Sequence, residues 1–380
     1  MAMQAVTLDE LVVRKPLKWA IFDKNGNQVM DVGAFIASEK QAKRLITRGV
    51  FREVAESDVQ PAAAPAEPEQ PKKPLFNIFT SLDEISEALK KGFYFIIHAR
   101  PCWESHLEHV IKVVDEIVDQ SPDAAMGAIH LYRKLEPILI QPIYTTILVT
   151  LVSKALSVDE ERKKAAQMAA LCANVACLGY INRLNNQKQR LSKKQFTVLQ
   201  NHPEQSMLLL KRAGCENKLC LETIYQHHER NDGSGYPRKL PGSKILDIAK
   251  LLSVADTYLA MTGKRCYRES YVAKGALREV YANGVSSDQV VYLSFIKELG
   301  IFPPGTFVRL ENGEIAVVTC RGAADPMSPS LKAVVNAKGA AYKVPFARDC
   351  KIKQYSIKET CAMTTDLAIP LDVIWDFKKA

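Results

Sequence analysis

Apolar and polar positions follow three different rhythms along the 380 residues. Near the start, residues 17–22 and 28–32 are short apolar-rich runs on either side of Asp23-Lys24-Asn25-Gly26-Asn27. Asn25-Gly26 tolerates the positive backbone angles of a tight hairpin, so two strands are expected there. Residues 38–48 change to helical spacing, with Ser38 placed to cap the helix, Gly49 to stop it and Phe51 to anchor the chain beyond it. From residue 81 the helical period takes over. Ser81 and Glu84 match a capping box ahead of Ile85, Ala88 and Leu89. Segments 104–118, 124–135, 144–156 and 162–178 are long and apolar-rich, with interruptions expected at Pro122, Pro137 and Pro142. Segments 193–213, 219–228, 245–261, 273–281 and 286–299 extend the same bundle. Beyond Ile301 the rhythm becomes period two: strands 306–310 and 314–318 meet at Asn312-Gly313, and 333–336 and 342–345 add strands around Gly339.

Between these stretches, Pro61, Pro65, Pro68, Pro71 and Pro74 are separated mostly by Ala, Glu, Gln and Lys, a composition that favours extended, poorly packed chain. The expected organisation is a small β-containing module over 1–54, a Pro/Ala-rich linker over 55–75, a helical domain over 76–300, a small β module over 301–361 and a tail over 362–380. The fold class is therefore mainly α.

Composition narrows the function classes. A hydrophobic fraction of 47% with 24% charged residues belongs to a packed protein rather than a disordered one. The start of the chain carries Asp9 and Glu10 and lacks the basic-then-apolar order of a secretion signal, and no apolar run is read as a membrane span, so a cytoplasmic protein is expected. The nine cysteines are scattered and odd in number, which suits reduced thiols, with Cys172 and Cys177 at core positions. The net charge of +9 comes from Lys and Arg spread over the whole chain, which indicates a solvated basic surface rather than a nucleic-acid groove. His106 and His109 stand at i and i+3 with no third ligand nearby, and are expected on a packed or solvated face.

The chemistry concentrates in His227-His228-Glu229-Arg230-Asn231-Asp232-Gly233-Ser234-Gly235-Tyr236-Pro237. Adjacent imidazoles can ligate a metal, and the glycines let the backbone turn tightly beside it while Pro237 fixes the exit. This run resembles the signature of the HD-GYP family, metal-dependent phosphohydrolases that open the second messenger cyclic di-GMP. The resemblance covers about residues 144–281 and implies an HD-GYP-like helical bundle. It extends to His202 in Asn201-His202-Pro203-Glu204 and to Asp256 in Ala255-Asp256-Thr257-Tyr258. His202, His227, His228 and Asp256 are the candidate metal ligands. Arg265 and Arg268 resemble basic positions near the family's substrate phosphates.

The family's defining His-Asp pair is missing. Alignment with its apolar Ala-Leu-Leu-His-Asp-Ile-Gly-Lys stretch puts Ala173 at the histidine, Asn174 at the metal-bridging aspartate and Cys177 at the lysine. Gln141 falls where an earlier family histidine would sit, and Leu259 takes the second acidic position of the Ala-Asp-x-x-Asp-Ala pattern. A neutral amide lacks the charge to hold two cations, and Ala173 offers no ligand atom. The reading is a degenerate HD-GYP domain without an intact catalytic site. It is expected to lack a cofactor, the alternative being one weakly held divalent ion, Fe or Mn. Gly233, Gly235, Tyr236 and Pro237 then form a surface for a signalling partner, with diguanylate cyclases as candidates. Two further readings stay open: a cyclic-di-GMP receptor that uses Arg265 and Arg268, and a residual metal-dependent phosphodiesterase.

Overall fold

The first strands of the chain are joined by the last element of their module. β1 (Ala2–Ala5), β2 (Ile21–Asp23), β3 (Gln28–Met30), α1 (Glu39–Arg48) and β4 (Val50–Val54) form an antiparallel sheet in the order β1-β4-β2-β3 with one helix. The hairpin turn is the expected one, with Gly26 at φ +81°. Ser38 Oγ accepts from the Gln41 amide, and Gly49 ends α1 at φ +70°. Ile21, Ile36, Leu45 and Val50 form the core of this module. The computed structural model describes residues 2–7, 10–13, 15–54, 77–263, 273–282, 288–322, 325–362 and 371–377. The chain divides into two units, residues 1–74 and 75–380. The expected linker, 55–75, lies outside the described residues.

The second unit begins with α2 (Ile78–Ile97), α3 (Trp103–Gln120), α4 (Pro122–Leu131), α5 (Pro137–Ala155) and α6 (Glu160–Cys172). α2 starts a turn earlier than the Ser81 capping box implied. Ile78 and Phe79 are already buried, so the helix is capped by Asn77, whose Oδ1 accepts from the Phe79 amide at 3.0 Å. Pro142 does not interrupt α5. The helix runs on without the one bond that a residue with an amide at 142 would have given the carbonyl of Ile138. α5 is buried on nearly every face and forms the axis of the bundle. Contrary to the expectation of no such run, α5 and the stretch Glu160–Asn186 are long and apolar enough to cross a membrane, but 78% and 61% of their apolar windows lie inside the fold.

A short turn over Val175–Cys177 leads to α7 (Leu178–Asn186), α8 (Lys193–Gln200), α9 (His202–Arg212), α10 (Lys218–Gln226), α11 (Asp247–Thr262), α12 (Ala273–Ala282) and α13 (Gln289–Leu299). Residues 193–213, expected as one helix, break at Asn201. Pro203 has no amide to give the carbonyl four residues earlier, that of Leu199. His202 Nδ1 meets that carbonyl instead, at 2.6 Å.

β5 (Phe307–Leu310), β6 (Ile315–Cys320), β7 (Ser330–Val335), β8 (Ala341–Arg348) and β9 (Ile357–Cys361) make an antiparallel sheet in the order β8-β7-β6-β5-β9. This sheet packs on the bundle. Arg321 bridges Asp123 on α4 at 2.6 Å and Glu298 on α13 at 3.0 Å. His130 on α4 bonds the Pro304 carbonyl at 2.7 Å and the Tyr258 hydroxyl at 2.8 Å. Part of the region read as a tail also folds here: α14 (Leu371–Ile374) brings Ile374 and Trp375 against α4 and the sheet, and Trp375 Nε1 donates to the Thr319 carbonyl at 2.9 Å. The Trp375 ring occupies the space where a Cβ on Gly127 would stand, so α4 needs glycine at that point.

Candidate metal centre

Two elements deliver the histidines. His202 is the first residue of α9, and His227 and His228 form the turn directly after α10. Their ligand atoms lie within 4.8 Å of one another. The segment 219–228 was expected to carry His227 and His228 as the end of a helix. Instead α10 stops at Gln226, helical spacing no longer separates the two residues, and their rings stand 4.1 Å apart. His202 and His227 are buried, and His228 keeps part of its surface open.

Protonation follows from the surroundings. Burial holds the His202 and His227 imidazoles down at about 4, and it pushes His228 well below the ordinary histidine range. Neighbouring imidazoles lower His202 and His228 further, while the Asp256 carboxylate opposes the shift at His202. All three rings are therefore neutral near pH 7, the state in which imidazole ligates a cation.

Backbone carbonyls then choose the tautomer. His202 Nδ1 lies 2.6 Å from the Leu199 carbonyl and His227 Nδ1 lies 2.6 Å from the Ile224 carbonyl, and a carbonyl can only accept. Both rings must carry the proton on Nδ1, which leaves each Nε2 with a bare lone pair. Those two Nε2 atoms face each other at 3.2 Å. Two neutral rings of this tautomer cannot satisfy that contact; a cation between them can. Nitrogens about 2.0–2.1 Å from a common ion stand ~2.9–3.4 Å apart at bond angles of roughly 90–110°. The side chains of His202, His227 and His228 thus fit one divalent ion, with the Nδ1–H of His202 and of His227 held by main chain as supporting contacts.

Ala173 and Leu259 add no ligand atom to the three histidines. Ala173 is buried and offers no ligand, and Leu259 is a buried apolar residue. Asn174 Nδ2 donates to Asp256 Oδ1 at 3.4 Å. Asp256 also acts on its other neighbours. Burial and its negative charge push the Cys177 thiol up to about 12 and raise the Tyr236 phenol.

The glycine-rich turn is built around a residue that the sequence reading passed over. Glu229 is buried, and its carboxylate accepts from the Arg238 amide at 2.6 Å and the Leu240 amide at 2.9 Å. Gly235 packs so tightly under this hub that a Cβ would fall 2.3 Å from the Arg230 nitrogen. Gly233 sits at φ +75°, and the Tyr236–Pro237 bond is cis. Tyr236, read as part of a partner surface, lays one face on His228, with ring centres 4.8 Å apart and planes inclined by 27°. Gln141 lies partly buried on α5, and Arg265 and Arg268 lie outside the described residues. His109 pairs with Glu84 at 3.4 Å and His106 packs on Phe95, so neither joins a ligand set. The only sequence signal for Glu229 was its position inside the motif: an acid between two histidines and two glycines reads as another ligand or a solvated charge, not as a hub for main-chain amides.

Residues 103–286 match the HD domain family. The chain is 27% identical over 241 residues to the cyclic di-GMP phosphodiesterase PA4108 of Pseudomonas aeruginosa, covering 63% of this chain and 58% of that protein. It is 30% identical over 135 residues to the cyclic di-GMP phosphodiesterase response regulator RpfG of Xanthomonas campestris pv. campestris, covering 35% of each. It thus spans little more than half of the first relative and about a third of the second. Among solved structures it is similar to Bd1817, an HDG"Y"P protein from Bdellovibrio bacteriovorus, at 13% identity and a TM-score of 0.46, over 78% of this chain and 99% of that one. The helical body of this chain is thus similar to HD domains over residues 103–286, and similar in sequence to cyclic di-GMP phosphodiesterases.

Proposed function

We propose that the chain is a non-hydrolytic component of cyclic di-GMP signalling, built on an HD domain that holds no more than one divalent ion. The Asn174–Asp256 contact carries this reading. Opening a phosphodiester at neutral pH calls for an activated water and neutralised phosphate oxygens, which paired metals supply when both are bound. Here His202, His227 and His228 would hold a single cation with Asp256 beside them, and no second group of ligands faces it from Ala173 or Asn174.

The output is proposed to pass through the glycine-rich turn. Tyr236 rests on His228, so an ion that fixes His228 also fixes Tyr236 and, through it, Pro237 and the exposed rim of Asp232, Ser234, Arg238 and Lys239. A signalling protein such as a diguanylate cyclase is the partner this reading assigns to that rim.

Elemental analysis of untagged protein purified without chelator, alongside cyclic di-GMP hydrolysis with added Mn²⁺ or Fe²⁺, tests the proposal. The expected result is at most one equivalent of metal per chain and no turnover. Two equivalents with turnover would overturn it.

A further inference from the structure

Placed on the fold, the basic charge is not spread evenly. Between Glu161 and Glu204 the sequence carries no Asp or Glu. α7, α8 and the loop that joins them, residues 178–200, lie inside that stretch. They carry Arg183, Lys188, Arg190, Lys193 and Lys194, a net +5 out of the chain's +9. All five are exposed, and none pairs with a carboxylate among the described residues. The loop is stitched shut by its own amides. Gln195 Nε2 donates to Gln187 Oε1 at 2.9 Å across the two ends of the loop, and Gln187 Nε2 donates to the Gln189 carbonyl at 2.9 Å. The Ser192 amide donates to Gln195 Oε1 at 2.9 Å, and Ser192 Oγ accepts from the Gln195 amide at 3.3 Å. Lys188, Arg190, Lys193 and Lys194 therefore reach solvent from a loop and first helical turn whose backbone is already held in place.

We propose that this segment is a docking surface for single-stranded nucleic acid. Its unpaired cations meet backbone phosphates, and Gln189, exposed between Lys188 and Arg190, offers a donor and an acceptor to sugar and base edges. Phe196, 50% exposed on α8, offers a ring on which an unpaired base can stack. Two other occupants fit worse. A helix that lies on a lipid surface buries one continuous apolar face. Phe196 and Val198, the large exposed apolar residues of α8, are two positions apart and so point about 200° apart around the helix axis. A protein partner would bury the centre of the surface, and such centres are depleted of lysine, whereas here Lys188, Lys193 and Lys194 flank the middle of the loop.

None of these residues is a candidate metal ligand, although α8 supplies the Leu199 carbonyl that accepts from His202 Nδ1. Charge count sets the expected salt dependence. Four cations on four phosphates give the logarithm of affinity a slope of about −2.8 against the logarithm of salt concentration, so a rise from about 50 to about 200 mM weakens binding roughly fiftyfold.

The test titrates the folded, untagged, full-length chain into fluorescein-labelled oligouridine of about 16 nucleotides and reads anisotropy at several salt concentrations. Saturable binding with the slope above is expected. Lys188→Ala/Arg190→Ala should halve that slope. Phe196→Ala should weaken binding by at least about fivefold and leave the slope unchanged, because it removes stacking and no charge. Lys343→Ala, on exposed β8, should change neither. Absence of binding at about 50 mM salt, or a slope that Lys188→Ala/Arg190→Ala leaves intact, would overturn the proposal. So would equal affinity for a duplex of the same length, wild-type binding by Phe196→Ala, or capture by phosphatidylglycerol vesicles without capture of the RNA. The wild-type titration decides even if a variant fails to fold, and it is run without metal, so it is independent of the proposed function.

Discussion

The unit formed by residues 75–380 contains two buried polar clusters that are solved in opposite ways. In the β module, Glu314 is 5% exposed, yet its carboxylate accepts from Arg348 twice at 2.8 Å, from the Tyr342 hydroxyl at 2.6 Å and from Asn312 at 3.0 Å. Arg348 in turn lies over the Tyr355 ring at 4.9 Å. Every strong acceptor there has a donor. At the metal centre, His202 and His227 turn their donors to main chain and their bare nitrogens toward each other. A closed network identifies a part that holds the fold; a pair of opposed lone pairs identifies a part shaped for something that is not protein.

The largest effect that would break this contrast is at Arg348. Arg348→Met should cost on the order of 3 kcal/mol in urea unfolding, because a buried carboxylate is left without its cation. A loss below about 1 kcal/mol would mean that the network contributes no more than surface pairing does. The histidines should answer differently. His227→Gln should leave the unfolding free energy of metal-free protein within about 1 kcal/mol, since it removes a conflict, while lowering Co²⁺ affinity by at least about tenfold in calorimetric titration. Equal losses of stability at the two sites would erase the distinction.

Asn174→Asp sharpens the comparison from the other side. It replaces the amide that bonds Asp256 with a second carboxylate, so Co²⁺ affinity should rise by about tenfold. Metal-free protein should lose on the order of 1 kcal/mol from the new like-charge contact. A pH effect reads the same network. Bonds from Arg348 hold the Glu314 carboxyl down at about 2, below its usual 4.5. The unfolded chain therefore binds the proton more readily, and this stabilisation is complete above pH 4.5 and fades as pH falls toward 2. The urea midpoint of Glu314→Gln should decline less steeply across that window.

Local chemistry explains what was legible beforehand. The Asn25-Gly26 and Asn312-Gly313 turns, the Ser38 cap and the Gly49 stop each depend on one or two residues and formed as read. Where neighbours far along the chain decide, the sequence was silent. The start of α2 was set by which apolar residues become buried, not by the better capping pattern at Ser81. The seating of the β module rests on Arg321 reaching Asp123 and Glu298, a contact with no local signature. The three clustered histidines were legible as residue types in order, but the convergence of His227 and His228 depended on α10 ending directly before them.

Pro203 never enters the metal centre, yet its missing amide leaves the Leu199 carbonyl open to His202. Ring orientation there is written into the main chain, out of reach of side-chain replacement elsewhere in the pocket. Substitutions at positions such as 173 and 174 can therefore alter what the pocket does while the imidazoles keep their aim. A lineage can abandon one activity and take up another without first dismantling the frame.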